Sequence, residues 1–326
     1  MPVAHAKRNN RPVKEIAGAV MVKIKSLNHG RETYAVYYGK DFVLKRPLPN
    51  MGQAAMDAWL AKQHKTQTAI DRIRAVGNPL YNVPEMRFIN DDEYQILEER
   101  APGQPLGRDL YRKLSRRQRF EIINSLGSFL VDMNESMPIG DIEMHKIAEE
   151  LKFNRLDNFI ETKMSNWFTK NEVIQMARIR DQIGTFEYPT RMAWSHCDLN
   201  AGNVLYDPDT SKLSFIDFAE AGYRFIYRDI FASLQIELNI FKQVYDVYTK
   251  MHAKNLWSMP SAKNDNLRDI MKYRIMVVWL KRFIKAADDL RTNPQNIKSE
   301  NNNLEKLAFM REQMINFQNL ERQFQK

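Results

Sequence analysis

The sequence predicts an α+β fold with two lobes, a small antiparallel sheet lobe followed by a mainly helical lobe. Residues 19–46 alternate apolar and polar side chains as strands do. Residues 53–76 contain neither proline nor glycine and carry apolar side chains at helical spacing, and helical spacing dominates again after residue 105. Together these patterns indicate a sheet with one long helix, joined to a bundle of further helices.

The first lobe is expected to hold five strands and one helix. Three strand-like runs, AVMVKIKSL, ETYAVYYG and DFVLKRP, are separated by turn residues and predict an antiparallel meander. The helix should run from Gly52 to about Val76 and end at Gly77. Two further strands, PEMRFIN and EYQILEER, follow, with Asn90–Asp92 as their turn.

The segment APGQP at residues 101–105 interrupts regular structure and marks the predicted boundary between the lobes. Nearly everything from there to Tyr188 should be helical, and helices should resume near Tyr227 after a stretch rich in strands. In that stretch VLYDPDTSKLSFIDF predicts a hairpin. The expected organisation is a basic tail, an N-terminal lobe and a C-terminal lobe, at residues 1–14, 15–100 and 101–326.

Composition limits the classes of protein to which the chain can belong. The net charge of +9 favours anionic partners, but the excess lies along amphipathic stretches where Lys and Arg form a solvated helix face, so nucleic acid is not an expected partner. No run is apolar enough for a membrane helix or a secretory leader. The only cysteine, Cys197, excludes an internal disulfide and suits a reducing compartment, so we expect a cytoplasmic protein.

The stretch HCDLNAGNVLY and the later IDF contain the residues best suited to chemistry. Asp198 lies on a loop before a strand, Asn203 lies where that loop enters the strand, and Asp217 ends the returning strand. The predicted hairpin therefore brings Asn203 and Asp217 together. Transfer of a phosphoryl group needs one carboxylate to orient the acceptor hydroxyl and oxygen ligands for Mg²⁺, and these residues supply both.

This pattern resembles the catalytic core of the aminoglycoside phosphotransferase and choline kinase family, a branch of the protein-kinase-like superfamily. The resemblance implies a protein-kinase-like fold in which Asp198 is the catalytic base and His196 supports the catalytic loop. It implies that Asn203 and Asp217 bind Mg²⁺, and that Asp229 braces the loop from a helix start.

The resemblance also assigns the nucleotide site. Lys45 on the predicted third strand would hold the α- and β-phosphates of ATP or GTP. The turn that contains Asn28 and Gly30 would cover the phosphates with its backbone N–H groups. The backbone of the hinge would contact the base, and the hinge residues concerned are Glu98, Glu99 and Arg100.

The sequence departs from the family in the helix that follows Lys45. That helix normally carries a glutamate that pairs with the lysine, but residues 53–67 contain none. Either Asp57 reaches the lysine, or Gln63 or Gln67 substitutes, or phosphate alone holds Lys45. The missing glutamate also leaves open a non-catalytic, kinase-like binding module.

We therefore expect a Mg²⁺-dependent phosphotransferase that moves the γ-phosphoryl of ATP or GTP to a hydroxyl of a small molecule. A protein kinase or other macromolecular kinase is the alternative, but Cys197 occupies the place of its usual arginine, and the run to Asp229 is too short for a long activation loop. The basic composition does not favour a polycationic acceptor. Acidic residues of the second lobe such as Asp132 are expected on a solvated helix face.

Overall fold

The computed structural model describes residues 33–38, 41–146, 153–162, 164, 167–252, 264–292 and 297–325. The predicted tail and the first predicted strand lie outside the described residues. Among the described residues, no helix is both long and apolar enough to cross a membrane.

The described part of the chain combines short strands with longer helices. The strands are β1 Thr33–Tyr38, β2 Phe42–Pro47, β3 Tyr81–Asn82, β4 Met86–Asn90, β5 Gln95–Glu99, β6 Gln104–Pro105, β7 Ile142–Lys146, β8 Glu187–Ser195, β9 Val204–Asp207, β10 Lys212–Phe215 and β11 Gly222–Phe225. The helices are α1 Gln53–Val76, α2 Arg108–Lys113, α3 Arg116–Glu135, α4 Phe153–Thr162, α5 Lys170–Thr185, α6 Tyr227–Ile230, α7 Ser233–Leu238, α8 Phe241–His252, α9 Asn264–Thr292 and α10 Ile297–Gln325. The predicted α+β class is confirmed.

The chain packs as two compact units. The first comprises the described residues up to Met137, together with Trp194–Gly222 and Gln243–Tyr248. The second comprises the described residues of Pro138–Ala193, Tyr223–Lys242 and the chain from Thr249 onward. The lobe boundary near residue 101 that the sequence suggested stays a prediction.

The first unit contains two sheets of four strands, ordered β1-β2-β5-β4 and β3-β10-β9-β6. In the first sheet each neighbouring pair is antiparallel, and the β1–β2 pair belongs to the predicted meander. In the second sheet β9 and β10 form the predicted hairpin, and β3 joins β10 in parallel. These two sheets supply every strand that carries a predicted nucleotide or metal ligand.

Helix α1 matches its predicted bounds. It ends because Gly77 adopts a left-handed conformation, with φ of 68°, that costs glycine no side-chain clash, and its N–H then bonds the carbonyl of Arg74. Its buried side chains recur every three or four residues, which is the spacing of one helix face: Trp59, Gln63, Thr66, Ala69, Ile70 and Ile73.

Helix α3 packs against the β9–β10 hairpin. It begins with a capping box, in which Ser115 and Gln118 satisfy each other's backbone N–H groups. Farther along, the ring of Phe129 stacks on Phe215 of β10 at 3.6 Å between centroids. The carboxylate of Asp132 accepts hydrogen bonds from Tyr81 Oη at 2.8 Å and from an asparagine of the preceding loop. Asp132 is thus held by the loop before β3 and does not lie on a solvated helix face.

The second unit contains the three-stranded sheet β11-β8-β7 and long helices. Strand β7 falls in a stretch that the sequence predicted as helical, and that prediction was wrong. Its partner is β8, with His145 opposite Tyr188 and Met144 opposite Pro189. A run of five residues carries too little periodicity to be recognised alone, and it becomes a strand because a distant segment pairs with it.

Candidate active site

The β9–β10 hairpin places two predicted metal ligands side by side. Val204 lies opposite Phe215 in the ladder, and the Ile216 N–H donates to the carbonyl of Asn203 at 3.0 Å. Asp217 is the next residue, so it emerges from the hairpin beside Asn203. The turn is closed by Asp207, whose carboxylate accepts from an N–H and a hydroxyl within the turn.

The catalytic loop holds Asp198 by both carboxylate oxygens. Asn203 Nδ2 donates to Asp198 Oδ2 at 2.8 Å and to the Asp198 carbonyl at 2.9 Å. Asn200 Nδ2 donates to Asp198 Oδ1 at 3.1 Å, while its Oδ1 accepts from the N–H of Gly202. The Asp198 side chain is exposed yet fixed in direction, which is what a residue that must meet an incoming hydroxyl requires.

His196 lies beneath the loop and is completely buried. Its Nε2 lies 3.0 Å from the carbonyl of Ile216, and its Nδ1 lies 3.3 Å from the backbone nitrogen of Asp198. A carbonyl can only accept and a backbone N–H can only donate, so the proton is on Nε2 and Nδ1 is the acceptor. The imidazole therefore joins the strand that leads to Asp217 with the loop that carries Asp198. This geometry is consistent with the predicted support of the loop by His196, which stays a prediction.

Two residues of this region adopt left-handed backbone conformations without being glycine. Cys197 has φ of 71° and Asp217 has φ of 61°. Such conformations cost about 1 kcal/mol or more each and persist where the surrounding contacts hold them. Both residues adjoin the His196 hydrogen bonds, so the strained backbone coincides with the predicted catalytic and metal-binding positions.

Lys45 on β2 forms an ion pair that the sequence did not predict. Its Nζ donates to Glu98 Oε2 of β5 at 2.5 Å, and the two side chains are 20% and 7% exposed. Burial lowers the pKa of Lys45, but attraction to Glu98, its hydrogen bond and attraction to Asp217 outweigh this, so the pKa is raised. Asp217, the predicted metal ligand, thus contributes to the electrostatic environment of Lys45.

Two of the helix side chains considered as partners of Lys45, Asp57 and Gln67, have other hydrogen-bond partners. Asp57 Oδ1 accepts from Tyr94 Oη at 2.5 Å. Gln67 Nε2 donates to the carbonyl of Met86, and Gln63 is buried within the helix face. The cation of Lys45 needs none of them, because a strand carboxylate is nearer.

The hinge residues Glu99 and Arg100 are engaged in the sheet. The Glu99 N–H donates to the carbonyl of Glu85 at 2.8 Å, and the Arg100 N–H donates to that of Asp41 at 2.6 Å. Their contact with a base stays a prediction. The Glu98 side chain pairs with Lys45, and the predicted contact of its backbone with the base stays a prediction.

The remaining predicted positions are only partly described. Asn28 and Gly30 lie outside the described residues. Asp229 is buried in α6, where its carbonyl accepts from Gln235 Nε2 at 2.9 Å. Its role as a brace of the catalytic loop stays a prediction.

The hairpin residues fit a magnesium ion by their chemistry. The Asn203 amide nitrogen donates both of its hydrogen bonds to Asp198, so the amide oxygen Oδ1 is available as a metal ligand. Asp217 supplies an exposed carboxylate. Mg²⁺ typically takes one or two protein oxygens, with phosphates and water completing its shell. Within the described residues, no group of three His, Cys, Asp or Glu side chains forms a metal site.

Sequence reasoning missed the Lys45–Glu98 pair, because the pair depends on the register of two strands that are distant in sequence. Val43 lies opposite Glu98 in the β2–β5 ladder, so Lys45, two residues along, shares a sheet face with Glu98. Only the register of β2 against β5 could have predicted this pairing. The search for a partner was restricted to the helix because the family resemblance places it there.

Comparisons with known proteins identify the family of the chain. The model of the phosphotransferase enzyme family matches residues 23–248. A search of curated proteins found no match.

Several solved structures share the fold at low sequence identity. The GDP complex of wild-type aminoglycoside 2′-phosphotransferase-IIIa has a TM-score of 0.60 at 15% identity, covering 93% of this chain and 96% of that chain. The ADP-bound aminoglycoside phosphotransferase APH(2″)-Ib has a TM-score of 0.51 at 13% identity, with coverage of 92% and 97%. A choline/ethanolamine kinase family protein from Mesorhizobium loti has a TM-score of 0.53 at 13% identity, with coverage of 94% and 92%.

The family model spans well over half of the chain and includes both the lysine strand and the catalytic loop. The similar structures confirm the predicted two-lobed, protein-kinase-like fold. The chain belongs to the phosphotransferase enzyme family and is a kinase that transfers phosphate to a hydroxyl group.

Proposed function

We propose that this protein moves the γ-phosphoryl of ATP or GTP to a hydroxyl of a small molecule, with Mg²⁺ as cofactor. The observation that carries the proposal is the convergence at the hairpin: an oriented Asp198, the oxygens of Asn203 and Asp217, and the cation of Lys45 in the field of Asp217. The ADP and GDP complexes among the similar structures support nucleotide binding.

Asp198 orients the acceptor and receives its proton. The acceptor oxygen forms a bond to the γ-phosphorus while the bond from that phosphorus to the bridging oxygen breaks, which releases a nucleoside diphosphate. Asn203 and Asn200 hold the Asp198 carboxylate so that one face stays open to the hydroxyl. Alignment of this kind is the main contribution a protein makes to phosphoryl transfer.

Lys45, Asn203 and Asp217 act on the phosphates. Lys45 places a charged ammonium where the α- and β-phosphates would lie. Asn203 and Asp217 would hold Mg²⁺, which supplies charge neutralisation at the phosphate oxygens when bound. The fixed hairpin register keeps these two ligands adjacent without any movement.

The acceptor is proposed as a small molecule because similar solved structures are named for small-molecule substrates. Their names specify aminoglycosides and the choline or ethanolamine class. A second candidate, the non-catalytic module, rested on the absence of a helix glutamate. Lys45 nevertheless has a carboxylate partner in Glu98, which removes that argument.

The test compares wild type with Asp217→Ala and Asp198→Ala in a thermal shift with ATP and then GTP, each with and without Mg²⁺. Ligand at about a hundred times its dissociation constant adds about 2.7 kcal/mol, which should raise the midpoint by about 5 °C or more. We expect a Mg²⁺-dependent shift in wild type and in Asp198→Ala, and its loss in Asp217→Ala.

Turnover distinguishes the two aspartates. With a panel of hydroxyl acceptors, Asp198→Ala should abolish phosphoryl transfer while nucleotide affinity is spared, because its carboxylate meets the acceptor and not the phosphates. Equal transfer by wild type and Asp198→Ala would remove Asp198 from the proposed mechanism. No shift with either nucleotide in wild type would refute the nucleotide site itself.

A further inference from the structure

We infer that Glu98 is the positioning residue for Lys45, and that it takes over from β5 the part a carboxylate on the following helix would play. The inference rests on the proposed function, since it concerns how Lys45 meets nucleotide phosphates. Its basis is the pair itself: Nζ and Oε2 lie 2.5 Å apart on neighbouring strands, with both side chains largely shielded from solvent.

The sheet determines the geometry of this pair. Val43 lies opposite Glu98, and Lys45 opposite Ile96, so the lysine and the glutamate are diagonal neighbours on one face. Diagonal neighbours lie within reach of long side chains. The pairing is therefore built into the ladder, and no other element needs to move to complete it.

The family resemblance places a carboxylate partner for Lys45 on helix α1, but the helix forms a different ion pair. Its Asp57 is held by Tyr94 and Gln53 at the start of the helix. Its Lys62 instead donates to Glu220 at 2.8 Å, in the short turn that follows Asp217. The helix thus offers a cation to the segment beyond the metal-binding position, while the lysine of the phosphate site is anchored in the sheet.

An anchored lysine binds phosphate better than a free one for a simple reason. Its ammonium sits on a flexible stem of four carbons, and fixing that stem before binding removes an entropy cost at the moment of binding. One of its three donors engages Glu98, which leaves two for phosphate oxygens.

The experiment measures the dissociation constants of Mg²⁺-ATP and Mg²⁺-GTP by titration calorimetry on the full chain. The variants are Glu98→Gln, Glu98→Asp, Lys45→Met and the double variant Glu98→Gln/Lys45→Met. Asp57→Asn is the matched control, because it removes a carboxylate from the helix with the same change of chemistry. The unfolding midpoint of each variant, without nucleotide, shows that it is folded.

We expect Glu98→Gln to weaken nucleotide binding about tenfold, as a displaced binding group commonly does. Glu98→Asp should recover part of the loss, and it keeps the test usable if the amide variant does not fold. The double variant should be no weaker than Lys45→Met alone, because Glu98 acts only through the lysine. Asp57→Asn should bind as wild type does.

The failures are separable. Wild type that binds neither nucleotide would refute the proposed function and this inference with it. Wild type that binds, with Glu98→Gln unchanged, would overturn the inference alone. Losses that add in the double variant would also overturn it, because Glu98 would then act on the nucleotide by a route other than Lys45.

Discussion

Replacing His196 by phenylalanine isolates the hydrogen bonds that link the two catalytic segments. Phenylalanine keeps a ring of similar size against Phe218 and Phe129, whose centroids lie 4.6 Å and 6.1 Å away. What disappears is the bond from Nε2 to the Ile216 carbonyl and the bond from the Asp198 N–H to Nδ1. The substitution therefore tests polarity at constant packing.

The magnitude follows from where each partner lies. A buried carbonyl left without a donor costs about 1–3 kcal/mol, and Ile216 is largely covered. The Asp198 N–H belongs to an exposed residue that water can reach, so its loss costs about 0.5–1.5 kcal/mol. The expected destabilisation is about 1.5–4.5 kcal/mol, or roughly 2–7 °C in the unfolding midpoint.

The assay is thermal unfolding, followed by turnover at a temperature where the variant is folded. His64→Phe is the control, since His64 is 41% exposed and should change stability by about 0.5 kcal/mol or less. Phosphoryl transfer by His196→Phe should fall while nucleotide affinity changes little, because the loop bearing Asp198 loses its link to Ile216. A midpoint equal to wild type would refute the reasoning and leave ring packing as the whole role of His196.

Two further predictions concern stability. Gly103→Ala should destabilise the protein by about 2 kcal/mol or more, because φ is 100° and an added Cβ would lie 2.6 Å from the Tyr206 backbone; Gly107→Ala, with open space around it, is the control in the same denaturation assay. Partial burial raises the pKa of Glu172. The hydrogen bonds from Thr169 and the attraction of Arg311 lower the pKa by more than burial raises it, so the net pKa is lowered. The Glu172 carboxylate therefore stabilises the fold fully above its unfolded pKa of about 4.3, and this stabilisation is lost as the pH falls through the folded pKa. Glu172→Gln should lower the free energy of unfolding at pH 7, and the difference from wild type should shrink in acid. A difference that does not change with pH would show that the charge of Glu172 is not its cause.

Local signals account for what could be predicted from the sequence. Helix α1 was predicted within a residue of its bounds because its periodicity runs unbroken to a glycine that can adopt a left-handed conformation. The β9–β10 hairpin was predictable because its strands are adjacent in sequence and its turn is polar. These two elements supply the neighbourhood of Asn203 and Asp217, so most of the catalytic loop followed from a short stretch of chain.

Features that depend on distant pairing were beyond sequence reasoning. Strand β7 forms because β8 pairs with it, and a run of five residues is too short to predict that pairing from sequence. The His196 tautomer depends on a carbonyl twenty residues away in the chain, brought near by the hairpin. Asp132 was taken for a surface charge because its helix is amphipathic, whereas Tyr81 reaches it from another element.

The sequence by itself determined the reaction class, because the spacing of Asp198, Asn203 and Asp217 around one hairpin depends only on local chain geometry. Tertiary structure alone decided how Lys45 is held. Its partner Glu98 lies 53 residues away, and the register of two strands, not any sequence motif, brings the charges to 2.5 Å. The energy of an ion pair depends on the distance between its charges in space. Only the folded sheet brings these two distant residues into contact.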